Sequence, residues 1–175
     1  YLASPQYLSA LERIVCVACF EDVCAVQRDV SVLINYSVCA DEKTYAQLYA
    51  NSRTRCLIGG RYAPLRPEFG LPRVLSRHSP ARVLVTSGGS DPFEFVERFL
   101  KSASRSQMDG IEWNVVIGGF FQNADRILRM AEGMGNVVCH QNVTRMAEVM
   151  GSCDTAVSAG GTTLYELCAM GVPAI

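Results

Sequence analysis

The stretch VSAGGTTLYEL, residues 157–167, predicts a strand that ends in a glycine turn and leads directly into a helix. The apolar run 155–157 precedes the turn, and apolar residues recur at helical spacing as far as Met170. Gly160 and Gly161 let the chain turn tightly and let a ligand approach the main chain. Because the first amides of a helix lack internal partners and its dipole is positive there, the turn predicts a site for phosphate oxygens.

The side chains of this turn add hydroxyl groups and one carboxylate. Ser158, Thr162 and Thr163 join the two glycines as predicted nucleotide-binding residues, with the threonines as hydroxyl donors. Glu166 lies one turn into the helix, where a carboxylate can accept hydrogen bonds from two ribose hydroxyls. The spacing Thr163-x-x-Glu166 also fits a helix capping box, which needs no ligand. The sequence leaves both roles of Glu166 open.

Composition narrows the class of protein. The 175 residues, 49% hydrophobic and 19% charged, are enough for one large or two small globular units. A net charge of -1 gives no electrostatic footprint for nucleic acid, and no apolar run approaches the ~20 residues that span a bilayer. No signal peptide is visible, and the chain opens at Tyr1 without a methionine. The predicted location, the cytoplasm, rests on the reduced state expected of the cysteines.

Eight cysteines invite a metal or disulfide interpretation, which their spacing does not favour. Cys16-x-x-Cys19 has no second pair of the same kind, and the others lie mostly in apolar runs. Cysteine in such runs behaves as a small hydrophobic residue. The cysteines are therefore predicted to be reduced core residues that hold no metal. No cofactor is predicted either.

Strands and helices alternate along the chain. Apolar runs predict strands at 14–18, 30–34, 55–58, 82–86, 113–117, 136–139 and 154–157. Helical patterns end at Glu12 and cover 42–49, 124–131 and 144–150. A further helix is predicted from Asp91 as N-cap, with Pro92 at its first position. Prolines crowd residues 64–80, which predicts an extended linker rather than a packed element.

Glycine pairs follow four of the predicted strands, at positions 59, 88, 118 and 160. The first intervals between these pairs are each close to the length of one strand plus one helix, which predicts parallel sheets. In parallel sheets, ligands bind at the carboxyl ends of the strands. We therefore expect the turns after Thr86 and Val157 to converge on one cleft. A side chain at Gly89 or Gly161 is expected to block a ligand there, and one at Gly119 to meet none. No P-loop and no Gly-x-Gly-x-x-Gly motif occurs.

Three motifs carry a family resemblance: "SAGGTTLYELCAMGVPAI", "VLVTSGGSDP" and "GGRYAPLRPEF". In this order and spacing they resemble the SpsG/PseG group, which comprises spore coat polysaccharide biosynthesis proteins and the UDP-sugar hydrolase of pseudaminic acid synthesis. The first motif is shared more widely with MurG-type glycosyltransferases. The resemblance implies an α/β, GT-B-like architecture of two Rossmann-like domains with parallel sheets, both incomplete here. Residues 1–76 would be the end of the N-terminal domain plus linker, and 77–175 a truncated nucleotide-binding C-terminal domain.

The resemblance also implies a ligand. It predicts UDP-sugar binding, with Val143 in the loop 142–144 near the uracil, although that loop also fits an ordinary helix N-cap. Ser87, Gly88, Gly89, Ser90 and Asp91 are the predicted sugar-binding residues, while Asp91 also fits a helix cap.

Hydrolysis that releases UDP is the predicted reaction, in the synthesis of sialic-acid-like or surface-polysaccharide sugars. A GT-B glycosyltransferase and a catalytically inactive binding module are the alternatives. The group's glycine-rich segment ending in a general-base histidine has no counterpart here. His78 and His140 do not match its position, so no catalytic residue is assigned. No nucleic-acid or membrane partner is predicted, and the oligomeric state is left open.

Overall fold

A computed structural model of the chain describes residues 3–21, 27–70, 81–106 and 110–175. The chain divides into two compact units, Tyr1–Pro64 and Leu65–Ile175. Each unit is built on a parallel sheet, which confirms the predicted α/β class with two parallel sheets. The predicted domain boundary near residue 76 lies outside the described residues.

The first unit contains a three-stranded sheet in the order β1-β2-β3. Its strands are β1 (Ala18–Phe20), β2 (Val32–Asn35) and β3 (Arg55–Ile58), and its helices are α1 (Pro5–Glu12) and α2 (Glu42–Leu48). Strands β2 and β3 pair in parallel from Val32 opposite Arg55 to Asn35 opposite Ile58. The core of this unit consists of Leu8, Val30, Leu33, Tyr45, Tyr49 and Ile58.

The first strand begins later than the apolar run 14–18 predicted. Ile14 and Val15 are 79% and 55% exposed. Their amides both donate to the carbonyl of Leu11 at 2.9 Å, so they continue the last turn of α1. The amide of Val17 donates to the Glu12 carboxylate, and ladder pairing starts at Ala18. The prediction was wrong here because the end of a helix has the same apolar composition as a short strand.

The second unit alternates strands and helices without interruption. Its strands are β4 (Arg82–Thr86), β5 (Glu112–Ile117), β6 (Val137–Gln141) and β7 (Thr155–Ser158). Its helices are α3 (Phe95–Ala103), α4 (Ala124–Glu132), α5 (Met146–Ser152) and α6 (Thr162–Ala169). All four strands are parallel, in the order β6-β5-β4-β7. The strand order therefore reverses between β4 and β7, and such switch points are where open α/β sheets bind ligands.

Helices cover both faces of this second sheet. One face packs into a core with α5 and α6, formed by Leu84, Val116, Met146, Met150, Ala156 and Leu167 among others. The opposite face packs against α3 and α4, through Val83, Val85, Val96, Leu100, Val115 and Ile127 among others. The alternation along each strand separates the two sets, as expected for side chains that point to opposite faces. Beyond α6, residues 173–175 hydrogen bond to β7 and place Ala174 opposite Ala156.

Part of the predicted linker is packed. Pro67–Gly70 forms a 3-10 turn, and Phe69, 2% exposed, belongs to the same core as Leu84 and Leu167. The prediction of an extended segment was wrong for these residues, because the large aromatic side chain of Phe69 packs Pro67–Gly70 against the core of the second unit. Residues 71–80, including His78, lie outside the described residues.

The third helix also begins later than predicted. Glu94 precedes it in the left-handed region, with φ 51°, and Pro92 lies before the helix. The Asp91 carboxylate nevertheless accepts from the amides of Phe95 and Val96, at 2.8 and 2.9 Å. Asp91 therefore caps the helix from four residues before its first residue, which the sequence spacing did not predict.

The cysteines are less buried than predicted. Of those described, only Cys153 is buried, whereas Cys16, Cys39 and Cys168 are exposed. All are free thiols in the described residues, and Cys24 lies outside them. Within the described ranges no group of three or more His, Cys, Asp or Glu is placed to hold a metal ion.

Candidate functional site

A cavity of about 360 Å³ opens in the second unit at the carboxyl ends of the strands. It lies at the β4/β7 switch point, between the ends of β4 and β5 and the start of α6. Its volume falls in the range of ~300–1,000 Å³ that is typical of small-molecule sites. The residues that line it are Arg66, Thr86, Gly88, Gly89, Val116, Ile117, Gly118, Gly119, Asn142, Val143, Met146, Thr162, Thr163 and Glu166.

The helix that follows β7 presents its N-terminus to this cavity. Gly161 is the N-cap residue, with φ 116°, a conformation that side chains other than glycine rarely adopt. Glycine has no side chain with which to satisfy the first amides of α6, so those amides remain available to a ligand. Thr162 and Thr163 are the first two residues of the helix, and both line the cavity. The amides, the hydroxyls and the positive end of the dipole together favour an anion.

The capping-box role of Glu166 is wrong. A capping box needs Thr163 at the N-cap, whereas that position is Gly161. Glu166 is instead the fifth residue of α6 and lines the cavity, with its side chain 18% exposed. Its carboxylate thus lies on the cavity wall and does not cap its own helix.

The turn after β4 adjoins the turn after β7, as predicted. The amide of Ala159 donates to the carbonyl of Thr86 at 3.1 Å. A Cβ built on Gly88, which has φ 86°, would lie 3.8 Å from the Thr163 hydroxyl oxygen. The two turns therefore form one wall of the cavity.

The predicted sugar-binding set is only partly brought together. Gly88 and Gly89 line the cavity, whereas Ser87, Ser90 and Asp91 are not among its lining residues. Ser87 donates from its hydroxyl to the carbonyl of Ser90 at 3.2 Å, and Asp91 is buried beneath α3, whose first turn it caps. The hydrogen bonds of Ser87 and Asp91 stabilise the turn and the start of α3.

The third glycine turn belongs to the site, which sequence reasoning missed. A Cβ at Gly118 would lie 2.5 Å from the carbonyl oxygens of both Gly88 and Gly89, so only glycine permits this backbone contact. The amide of Phe120 donates to the carbonyl of Gly89 at 3.0 Å. Gly119, predicted to lie away from a ligand, is on the cavity wall. The signal was present in the sequence, because the same Gly-Gly pair follows the neighbouring strand.

The loop after β6 forms a further part of the wall. Asn142 has φ 51°, and both Asn142 and Val143 line the cavity. Helix α5 begins at Met146 with Arg145 as its N-cap residue, so the loop 142–144 is not the helix cap that the alternative interpretation required. Val143 remains in a position to contact a ligand.

Glu166 is paired with an arginine that the sequence analysis did not single out. Nη2 of Arg66 lies 3.8 Å from Oε1 of Glu166, and Nη1 lies 2.8 Å from Oε1 of Glu68. Burial raises the pKa of Glu166, Arg66 opposes that rise and Glu68 adds to it. Arg66 lies within the motif GGRYAPLRPEF, which was the only signal in the sequence that pointed to it.

His140 is tied to other polar groups. Its Nε2 lies 2.8 Å from Oδ1 of Asn114, whose Nδ2 donates to Glu112 at 3.0 Å. Because the amide nitrogen of Asn114 faces Glu112, its oxygen accepts from a protonated Nε2 of His140. Burial lowers the pKa of His140, which favours the neutral ring. His140 does not line the cavity, so the described site contains no histidine.

Comparisons with known proteins place this geometry in context. A scan against models of known protein families found no match. An uncharacterised protein of Methanocaldococcus jannaschii is 26% identical over 152 residues, covering 82% of this chain and 31% of that protein. The spore coat polysaccharide biosynthesis protein SpsG of Bacillus subtilis is 27% identical over 133 residues, covering 74% of this chain and 39% of SpsG. The chain therefore spans well under half the length of these curated relatives. In the described part of the chain, no helix has both the length and the apolar composition to span a membrane.

Among solved structures, a mutant of S. aureus TarM in complex with fondaparinux, alpha-GlcNAc-glycerol and UDP matches the chain with a TM-score of 0.52. The match has 11% sequence identity and covers 83% of this chain and 29% of TarM. At that identity the match shows a shared fold. With the two parallel sheets, it confirms the predicted GT-B-like, Rossmann-like class. The chain is thus similar to SpsG in sequence and to a GT-B protein in fold, as its motifs predicted.

Proposed function

We propose that the second unit is the nucleotide-binding part of a protein that uses a UDP-sugar. The observation that carries this proposal is the wall formed by three glycine turns and the free end of α6 at the β4/β7 switch point. Backbone amides, two hydroxyls and a helix dipole suit a diphosphate. A carboxylate one turn further along the helix suits the two hydroxyls of a ribose.

Each part of the proposed ligand would contact a different segment of the cavity wall. Gly160–Thr163 would take the diphosphate, with Ser158 at the strand end behind it, and Glu166 would take the ribose. Val143 would lie beside the base. The turns at Gly88 and Gly118 would face the sugar. The choice of uridine is supported by the UDP that the TarM structure contains. The name of SpsG, a polysaccharide biosynthesis protein, supports a sugar as the other part of the ligand.

Hydrolysis is the proposed reaction of the whole protein. Water would attack the anomeric carbon, the bond from that carbon to the diphosphate oxygen would break, and UDP would leave. The amides at the start of α6 would stabilise the negative charge that grows on the diphosphate. Among the described residues that line the cavity, none is a histidine, so we assign no group that activates water.

Transfer to an acceptor hydroxyl is the second candidate reaction. It differs from hydrolysis only in the nucleophile, and the alpha-GlcNAc-glycerol in the TarM complex supports it. A catalytically inactive nucleotide-sugar binding module would use the same cavity with no reaction.

Calorimetry on the 175-residue chain tests the proposal. We expect UDP to bind more tightly than UMP, because the second phosphate adds contacts with the α6 amides. ADP should bind more weakly than UDP if the loop at Val143 selects the base. Equal affinities for UDP and uridine would place the anion site elsewhere. No binding of UDP would overturn the proposal.

A further inference from the structure

Arg66 is the only cationic side chain among the described residues that line the cavity. It comes from the segment that was expected to be a linker, and it pairs with Glu166 on α6. Its side chain is 51% exposed, yet one guanidinium nitrogen lies 3.8 Å from the Glu166 carboxylate. A cation at this position has two possible uses: it binds the phosphates directly, or it acts on Glu166.

Arg66 is held in place by contacts on its own turn. Its second terminal nitrogen pairs with Glu68 at 2.8 Å, and its guanidinium lies over the Phe69 ring, 5.1 Å from the centroid. Glu68 in turn accepts from the amide of Ala147 at 3.4 Å, and Phe69 is buried in the core of the second unit. These contacts restrain the guanidinium, so pairing with Glu166 costs less side-chain entropy than in an unsupported surface ion pair.

Glu166 needs such a partner. A carboxylate can accept from both hydroxyls of a diol only while it is ionised, because a protonated carboxyl turns one acceptor into a donor. Burial works against ionisation, and so does the neighbouring negative charge of Glu68. The opposing positive charge comes from Arg66. The charged groups that act on Glu166 from the adjacent turn are thus Arg66 and Glu68.

We propose that Arg66 is a positioning residue that keeps the Glu166 carboxylate charged and directed into the cavity, so that it can accept from the ribose hydroxyls. The inference rests on the proposed function, which assigns the ribose to Glu166. It adds a residue that acts through another rather than through the diphosphate. Arg66 also gives the motif GGRYAPLRPEF a physical role, because Glu68 and Phe69 of the same motif hold the arginine in place.

The first test measures the carboxyl group itself, without ligand. Carbon-detected NMR titration follows Glu166 in the parent chain and in Arg66→Gln, Arg66→Lys and the control Arg129→Gln. Arg129 is an exposed arginine on α4, on the opposite face of the sheet. We expect the Glu166 titration to move to higher pH in Arg66→Gln, to return toward the parent in Arg66→Lys and to stay unchanged in Arg129→Gln. An unchanged titration in Arg66→Gln would overturn the inference.

The second test measures affinity for uridine and for UDP across about pH 5 to about pH 8. As the pH is lowered, both ligands should begin to lose affinity at a higher pH in Arg66→Gln than in the parent. At the acid end of the range, the affinity of the variant should be lower by about tenfold for each unit by which the pKa of Glu166 has risen. The loss should be equal for the two ligands and absent when Arg66→Gln is added to Glu166→Gln. A loss confined to UDP would instead make Arg66 a phosphate ligand and overturn the positioning role.

The two tests separate this inference from the proposed function. If the parent chain fails to bind UDP, the proposed function fails and the inference fails with it. If the parent binds UDP and Arg66→Gln changes neither the titration nor the pH profile, only the inference fails.

Discussion

Replacing Glu166 with glutamine separates a ligand-binding role from a structural one. The substitution keeps the shape of the side chain and removes its charge. A hydrogen bond to a charged group contributes about 1.5–3 kcal/mol. We therefore expect the affinity for UDP to fall by about tenfold to about 150-fold.

The stability of the chain should change little in the same variant. Glu166 does not cap its helix, because Gly161 is the N-cap residue. The ion pair with Arg66 is long, at 3.8 Å, and half-exposed on the arginine side, so its loss costs at most about 1 kcal/mol. Burial raises the folded-state pKa of Glu166 above its unfolded value, so stability from this group is present at low pH and lost as pH rises through the folded pKa. A neutral glutamine at this position does not lose stability as the pH rises. This gain offsets the stability that is lost with the ion pair to Arg66.

Calorimetry with UDP and thermal unfolding, each at two pH values, provide the assay. At neutral pH the parent should bind UDP more tightly than Glu166→Gln. Below the folded pKa of Glu166 the two affinities should converge, because the parent then also carries an uncharged side chain. An equal dissociation constant at neutral pH would refute the ribose role of Glu166.

Three further predictions concern the turns around the cavity. Gly161→Val should bind UDP about fivefold to about 150-fold more weakly, because φ 116° costs a β-branched residue about 1–3 kcal/mol. The control Gly135→Ala, in open space, should bind as the parent does. Calorimetry after a circular dichroism check compares the two variants. Gly118→Ala should lower the free energy of unfolding by about 1–3 kcal/mol, since its Cβ would lie 2.5 Å from two carbonyl oxygens, and an unchanged denaturation midpoint would contradict that packing. Asp91→Ala should cost about 1–2 kcal/mol of stability through the lost cap of α3, and loss of UDP affinity without loss of stability would restore a ligand-binding role.

The periodic parts of the sequence predicted the fold of the second unit. Each strand from β4 to β7 lies within two residues of its predicted range at both ends, because each is an apolar run bounded by glycine or polar residues. The turn at Gly160–Gly161 was also predicted, since a glycine pair between a strand and a helical pattern allows few other structures. Local patterns of this kind are visible without knowledge of the tertiary fold.

The errors have causes that local sequence patterns do not show. Helix α3 starts late because Glu94 adopts a left-handed conformation, which propensity does not predict for glutamate. Phe69 is buried because the second sheet offers it a core, although prolines surround it in the sequence. Arg66 reaches Glu166, one hundred residues further along the chain, only after that packing. The site's electrostatics therefore depend on a tertiary contact that periodicity and spacing cannot reveal.

The central claim is that α6 and the adjoining glycine turns hold a nucleoside diphosphate. NMR titration of the nitrogen-labelled chain with UDP tests it most directly, residue by residue. The account predicts the largest amide shifts at Thr162 and Thr163, with smaller ones at Gly88 and Gly118. Largest shifts at the glycine pair after β3, Gly59-Gly60, or none at Thr162 and Thr163, would contradict it.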